Sequence, residues 1–136
     1  NEWIELEITE SAAMAHPEGA VEVLQRLRER GIQVAMDDFG TGHSSLAMLR
    51  TLPLNVLKLD RGFVQHLPES ETDAAVASAV VTLARRLGLS VVAEGVETEA
   101  QHQFLADIGC DVLQGFLFSR PLPTSDFEAW LIKRYG

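Results

Sequence analysis

The sequence predicts an α/β fold, about five parallel strands alternating with helices and curved as in a (β/α)8 TIM-type barrel. Three observations lead there. Helical patterns end at Arg30-Gly31, Leu87-Gly88 and Ile108-Gly109, and a glycine just past a helix end takes the left-handed conformation that closes the last turn. Each junction runs straight into a short strand, IQVAMDD, LSVVAEG or CDVLQG. The predicted strands then end on polar side chains: Glu7, Asp37, Lys58, Glu94 and Gln114. All strand C-termini of a parallel sheet lie at one end, so a curved sheet gathers these groups. A flat doubly wound sheet would bury both faces in apolar packing and spread the polar ends apart. Neither GxGxxG nor GxxxxGK[ST] occurs, so the phosphate loops usual in such sheets are missing.

The elements follow in order. In WIELEIT (3–9), Ile4, Leu6 and Ile8 alternate with Trp3, Glu5 and Glu7. The apolar set suits helices outside a barrel and leaves Glu7 pointing in. HPEGAVEVLQRLRERG places Pro17 at the first turn of a helix, with Val21, Leu24 and Leu27 along one face. QVAMD (33–37) is the second strand, SSLAMLRTL (44–52) a short helix and NVLKL (55–59) the third strand. Residues 71–87 start acidic and finish with Arg85 and Arg86, matching the helix dipole at both ends. SVVAE (90–94) is the fourth strand. TEAQHQFLADIG (98–109) begins with Thr98 as cap and buries Phe104, Leu105 and Ile108. DVLQ (111–114) is the fifth strand, and LPTSDFEAWLIKRY ends the chain in a helix.

No linker, low-complexity tract or charge block interrupts the 136 residues, which fall within the span of one domain. A hydrophobic content of 46% supports a core, and 23% charged residues is ordinary for a soluble protein. The net charge of −9 lacks the basic footprint that polymeric nucleic acid requires. If the ligand is a phosphate ester, cations must bring the two together. AAVASAVVTLA (74–84) falls short of the roughly 18 apolar residues of a membrane span, so no direct membrane contact is expected from this segment. No leader pattern is visible. The single Cys110 excludes an internal disulfide and suits a reducing compartment; a cytoplasmic location is expected.

Carboxylates at strand ends suit hard cations, whereas His16, His43, His66 and His102 lack ligand spacing. Adjacent Asp37 and Asp38 repel each other unless something positive stands between them. In one reading two metal ions about 4 Å apart are bridged by Asp37, with Asp38 on the outer ion. In the other, Asp38 caps a loop and Asp37 pairs with a basic residue. Lys58 either orients a water or phosphate oxygen or forms a structural ion pair. Glu10 and Glu97 each stand three residues beyond Glu7 and Glu94, where a helix cap is as natural as a functional group. DFGTG (38–42), with Gly40, Thr41 and Gly42, is a glycine-rich loop able to move over the site. It is no kinase DFG, for no HRD segment precedes it.

ELEITES, VAMDDFGTGHSSL, LKLDRGFV, VVAEGVET and LQGFLFSRPLP, in this order, closely resemble the EAL-domain family of bacterial cyclic di-GMP phosphodiesterases, over essentially the whole chain. The resemblance implies a (β/α)8 barrel that hydrolyses cyclic di-GMP to linear pGpG with Mg²⁺ or Mn²⁺ in a two-metal site, Ca²⁺ being inhibitory. It assigns Glu7, Asp37, Asp38 and Glu94 as metal ligands, Asp37 bridging and Glu94 serving also as base. Lys58 then contacts the attacking water, and Gln114 lies near water and phosphate. Glu10 and Glu97 support the ligands, Glu97 tethering the loop 38–46 that couples substrate binding to dimerisation. Asp60, Arg120 and Pro121 become substrate-side contacts. His43 stands where the family more usually has tyrosine.

The family's Glu-Ala-Leu triplet, an arginine soon after it and an asparagine ligand are not in this sequence. Whole domains of the kind have about 250 residues, so residues 1–136 read as the C-terminal half of one incomplete EAL domain. The intact parent is expected to be the phosphodiesterase, and the isolated chain to show little or no turnover. Its open strand edges favour self-association into a homo-oligomer. The alternative is a catalytically silent module that binds cyclic di-GMP or a protein partner.

Overall fold

A computed structural model of the chain describes residues 3–39 and 46–136. The elements run β1 (Glu5–Thr9), α1 (Glu10–Ala15), α2 (Pro17–Glu29), β2 (Gln33–Phe39), α3 (Leu46–Thr51), β3 (Val56–Leu59), α4 (Arg61–Val64), α5 (Glu71–Arg86), β4 (Ser90–Glu94), α6 (Glu99–Asp107), β5 (Val112–Gln114) and α7 (Thr124–Tyr135). The five strands form one parallel sheet in the order β1-β2-β3-β4-β5. A sequential order with no reversal keeps every right-handed crossover on the same side. This is the arrangement expected of a barrel wall and not of a doubly wound sheet, whose order reverses at a switch point.

Strand alternation sorts the side chains accordingly. Val34, Met36, Leu57, Leu59, Val91 and Ala93 share one face and join a single core with Leu24, Leu49, Val64, Val81 and Leu105 of the helices. The opposite face carries Glu7, Ala35, Asp37, Val56, Lys58, Val92, Glu94 and Gln114, whose register pairs Glu7 with Ala35, Ala35 with Val56, Lys58 with Val92 and Glu94 with Gln114. One face therefore supplies cohesion and the other supplies chemistry.

Four details depart from the expected elements. α1 and α4 are short helices that follow strands directly; Thr9 and Asp60 cap them by accepting from Ala12 N–H and Gly62 N–H. Each is too brief to show helical periodicity in sequence. Next, Ile4 and Leu6 are exposed, because edge strand β1 has a neighbour on one side only; of the three apolar residues proposed for its outer face, Ile8 alone packs against the core. Then, α7 has no buried residue, and Phe127, Ile132 and Tyr135 stay exposed. Last, β2 runs two residues beyond Asp37. The register slips between Met36 and Phe39, and Asp38 takes φ +55. This bulge turns Phe39 into the helix-side core opposite Leu59 and leaves the Asp38 side chain out of it.

Side-chain caps fix the starts of α5 and α6. Ser70 accepts from Asp73 N–H at the start of α5, and Thr98 with Gln101 makes a reciprocal capping box at α6. Among the described residues no helix is long and apolar enough to cross a membrane. Cys110 sits at the α6–β5 junction, its thiol directed at the carbonyls of Val91 and Val112 at 3.4 and 3.5 Å.

Leu57 is fully buried on the middle strand, whereas Val112 on the edge is 52% exposed. Leu57→Ala should cost about 2–5 kcal/mol and Val112→Ala under about 1 kcal/mol, read as shifts in urea midpoint; equal shifts would contradict the described core. Burial pushes the Cys110 thiol up to about 11. Alkylation by iodoacetamide should stay slow at pH 8.5, where on the order of 0.3% is thiolate, and climb towards pH 11. Full labelling within minutes at pH 8 would count against that burial.

Candidate functional site

Lys58 stands near the end of β3, 5% exposed, on the sheet face opposite the main core. Its ammonium donates to Glu7 Oε1 at 2.6 Å and lies 2.6 Å from Glu94 Oε1 and 3.8 Å from Asp37 Oδ1. Four strands contribute to this cluster: β1, β2, β3 and β4. Burial disfavours a charged lysine, but hydrogen bonds to Glu7 and Glu94 and the Coulombic pull of Glu94 and Asp37 outweigh it, so its pKa is raised. Asp37 Oδ1, 3.8 Å from the ammonium, also accepts the Asp38 N–H at 2.9 Å.

The remaining carboxylates occupy distinct places. Glu10 is buried at the first turn of α1. Asp60 Oδ1 accepts from Gly62 N–H at 2.8 Å, so the residue expected on the substrate side caps α4. Glu97 Oε1 lies 2.9 Å from Arg61 Nη2. Gly40, Thr41, Gly42 and His43, with most of the loop that Glu97 was expected to tether, lie outside the described residues.

Gln114 ends β5 beside Glu94 and borders three clefts, two of which reach Phe116. One, about 280 Å³, is bounded by Arg61, Glu94, Glu97 and Phe116. The other, about 290 Å³, is bounded by Arg120, Pro121, Phe127 and Trp130. Between them stands Phe116, with the Arg120 guanidinium 4.5 Å over its ring. Arg120 and Pro121 thus share a wall with Gln114, but they stand apart from the Lys58 cluster.

Sequence reasoning missed Arg61, Gln101, Gly115 and Phe116. Gly115 carried the strongest overlooked signal. A Cβ there would fall 2.0 Å from the Val96 carbonyl oxygen, so the turns after β4 and β5 are zipped backbone to backbone, by Val96 N–H to Gln114 O and Leu117 N–H to Val96 O at 3.0 Å each.

An all-carboxylate set on one rim suits a hard divalent cation far better than zinc. The donor chemistry of Glu7, Asp37 and Glu94 fits such an ion, with the Lys58 ammonium at their point of convergence. Among the described residues no three histidine, cysteine or acidic side chains are already arranged as a coordination shell.

The EAL domain family model matches residues 1–121. The chain is 50% identical over 129 residues to the cyclic di-GMP phosphodiesterase NbdA of Pseudomonas aeruginosa, covering 95% of this chain and 16% of that protein. It is 47% identical over 121 residues to the cyclic di-GMP phosphodiesterase RocR of the same organism, covering 89% and 31%. The solved PaMucR phosphodiesterase in complex with c-di-GMP superposes with a TM-score of 0.87 at 48% identity, covering 93% of this chain and 51% of that one. Klebsiella pneumoniae BlrP1, solved with manganese and cyclic di-GMP, gives 0.82 at 38% identity over 88% and 31%. The chain therefore spans under a third of these curated relatives and about half of the PaMucR chain.

Replacing the ammonium by a neutral group leaves Glu7, Asp37 and Glu94 facing one another. Discounted for the half-exposed Glu7 carboxylate, Lys58→Met should cost about 1–3 kcal/mol in dilute buffer. The loss should shrink in about 1 M salt, where screening reaches within about 3 Å. Urea melts at the two ionic strengths check this; a variant as stable as the parent in both would mean that the cluster stabilises nothing.

Proposed function

The chain belongs to the EAL domain family, and we propose from that premise that it is the C-terminal half of a metal-dependent phosphodiesterase domain that hydrolyses cyclic di-GMP to linear pGpG. The observation that carries the reading is the convergence of Glu7, Asp37 and Glu94 on Lys58. Acidic groups far apart in sequence meet at one rim of the sheet, where a phosphodiester and its neutralising cations are handled together. The relatives support the substrate class: NbdA and RocR are named for it, and the PaMucR and BlrP1 structures contain the dinucleotide.

In this reading Glu7, Asp37, Asp38 and Glu94 hold Mg²⁺ or Mn²⁺, with the left-handed backbone at Asp38 aiming its carboxylate away from the core. Bound there, divalent cations supply positive charge against the phosphate and its developing charge. The chain's own residues do the rest. Lys58, its charged form favoured by the carboxylates around it, donates to an incoming water or a phosphate oxygen. Glu94, whose carboxylate stands within hydrogen-bond range of the same ammonium, is the group assigned to take the proton released by the attacking water. Gln114, neutral and one strand over, orients without adding charge. Phe116, under Arg120, offers a flat apolar surface beside Gln114 for a purine. A cytoplasmic location is part of the proposal, as is activity residing in the parent and not in the isolated chain.

The decisive assay follows cyclic di-GMP turnover by the longest natural chain containing this sequence, with Mn²⁺ present. Activity should vanish with EDTA and return with Mg²⁺ or Mn²⁺, and Glu94→Gln should lower kcat by at least about 10³-fold. Binding without turnover in the parent would replace this reading by that of a silent cyclic di-GMP-binding module. Residues 1–136 alone turning over at the parent's rate would refute the assignment to an incomplete half.

A further inference from the structure

We propose that Arg61 is a positioning residue: it straps the turn after β4 onto the start of α4 and thereby sets where Glu94 stands against Lys58. The proposal rests on the phosphodiesterase reading for its catalytic consequence, but its geometry stands apart from it.

Two ion pairs bridge β3 and β4 at equal steps along both segments. Lys58 pairs with Glu94 inside the rim, and three residues on, Arg61 pairs with Glu97 above it. Together they close a ring: Lys58, the last residues of β3, Arg61, Glu97, the turn through Gly95, Glu94, and back to Lys58. Gly95 is what allows the ring to close. It takes φ +74, and a Cβ there would lie 2.4 Å from Arg61 Cγ and 2.8 Å from Arg61 Cβ. The arginine side chain lies flat across the residue that follows Glu94, so it both spans and covers the turn.

A second tie runs beside it. The Gln101 side chain, 5% exposed, accepts from Glu97 N–H at 2.8 Å and Thr98 N–H at 3.1 Å, and donates to Gln65 O at 3.4 Å, just past α4. Gln65 N–H in turn donates to Arg61 O at 2.9 Å. On the far side the turn rests on Gly115, where a side chain would meet the Val96 backbone. The turn carrying Glu94 is thus held from α4 on one side and from β5 on the other.

Stability is a poor explanation for the outer pair. The Arg61 and Glu97 side chains are 61% and 43% exposed, and ion pairs at such exposure contribute under about 1 kcal/mol. Geometry is the better one. A left-handed glycine beside a functional carboxylate is the freest point of the backbone, and displacing a reacting group by about 1 Å can cost about 10²-fold in rate.

The test uses the longest natural chain containing this sequence, loaded with Mn²⁺, and compares Arg61→Ala, Arg61→Lys and the exchange Arg61→Glu with Glu97→Arg. Arg61→Ala should lower kcat for cyclic di-GMP by about tenfold or more with KM within about twofold. Arg61→Lys should recover most of that loss, and the double exchange should run at least about threefold faster than either single change. Hydrogen exchange at the Val96 and Glu97 amides should quicken about fivefold in Arg61→Ala while the Leu57 amide stays protected. A raised KM with kcat intact would overturn the proposal by making Arg61 a substrate ligand, and so would unchanged exchange at Val96 and Glu97. If the unaltered protein does not hydrolyse cyclic di-GMP, the phosphodiesterase reading fails, and the exchange measurement alone decides the strap.

Discussion

Three carboxylates from three strands share one rim because a cation stands among them, and in this fold that cation is Lys58. Its position on β3 decides the rest. β3 is the middle strand of five, so its inward side chains have neighbours on both sides. Glu94 comes from the adjacent strand, Asp37 from the other adjacent strand, and Glu7 from one strand further. Removing a lysine from water is unfavourable, and an acidic rim is self-repelling; each problem is the solution to the other. The buried Leu57 and Leu59 flank Lys58 in sequence and pack on the opposite face. The same four-residue strand thereby anchors the core and carries the charge.

The backbone departs from the ordinary at the rim, as is common where function constrains a fold. Asp38 takes a left-handed conformation that costs a non-glycine residue roughly 1 kcal/mol, and the resulting bulge returns Phe39 to the core. Gly95 is left-handed directly after Glu94. Gly115 gives up its side chain so that the turns after β4 and β5 can touch. These local exceptions lie within a residue or two of Asp37, Glu94 or Gln114. Elsewhere among the described residues the α/β repeat is regular, with left-handed glycines only at helix ends, at Gly31, Gly88 and Gly109.

Much of the fold could be read from the chain because each long element carries its own punctuation. Arg30-Gly31, Leu87-Gly88 and Ile108-Gly109 marked three helix ends, and Thr98 marked a start. Apolar pairs in short strands placed the core. The site was legible to the extent that the strand-terminal residues Glu7, Asp37, Lys58 and Glu94 were named and do converge. The remainder was hidden for definite reasons. α1 and α4 are a turn or so long and show no period. The bulge at Asp38 is a matter of register, which depends on β3. Arg61 reads in sequence as an unremarkable surface charge, since the glycine it crosses lies more than thirty positions away.

The sequence by itself determined the alternation of strands and helices and the residue types at the strand ends, because these follow from local periodicity and capping. It also determined the family, through several motifs in a fixed order. The tertiary structure alone decided that Lys58 lies among three carboxylates, that Asp60 caps a helix, that Glu97 meets Arg61 and that Phe39 turns inward. Those outcomes depend on register between strands far apart in sequence, and a one-residue shift in register would reverse which face each side chain occupies.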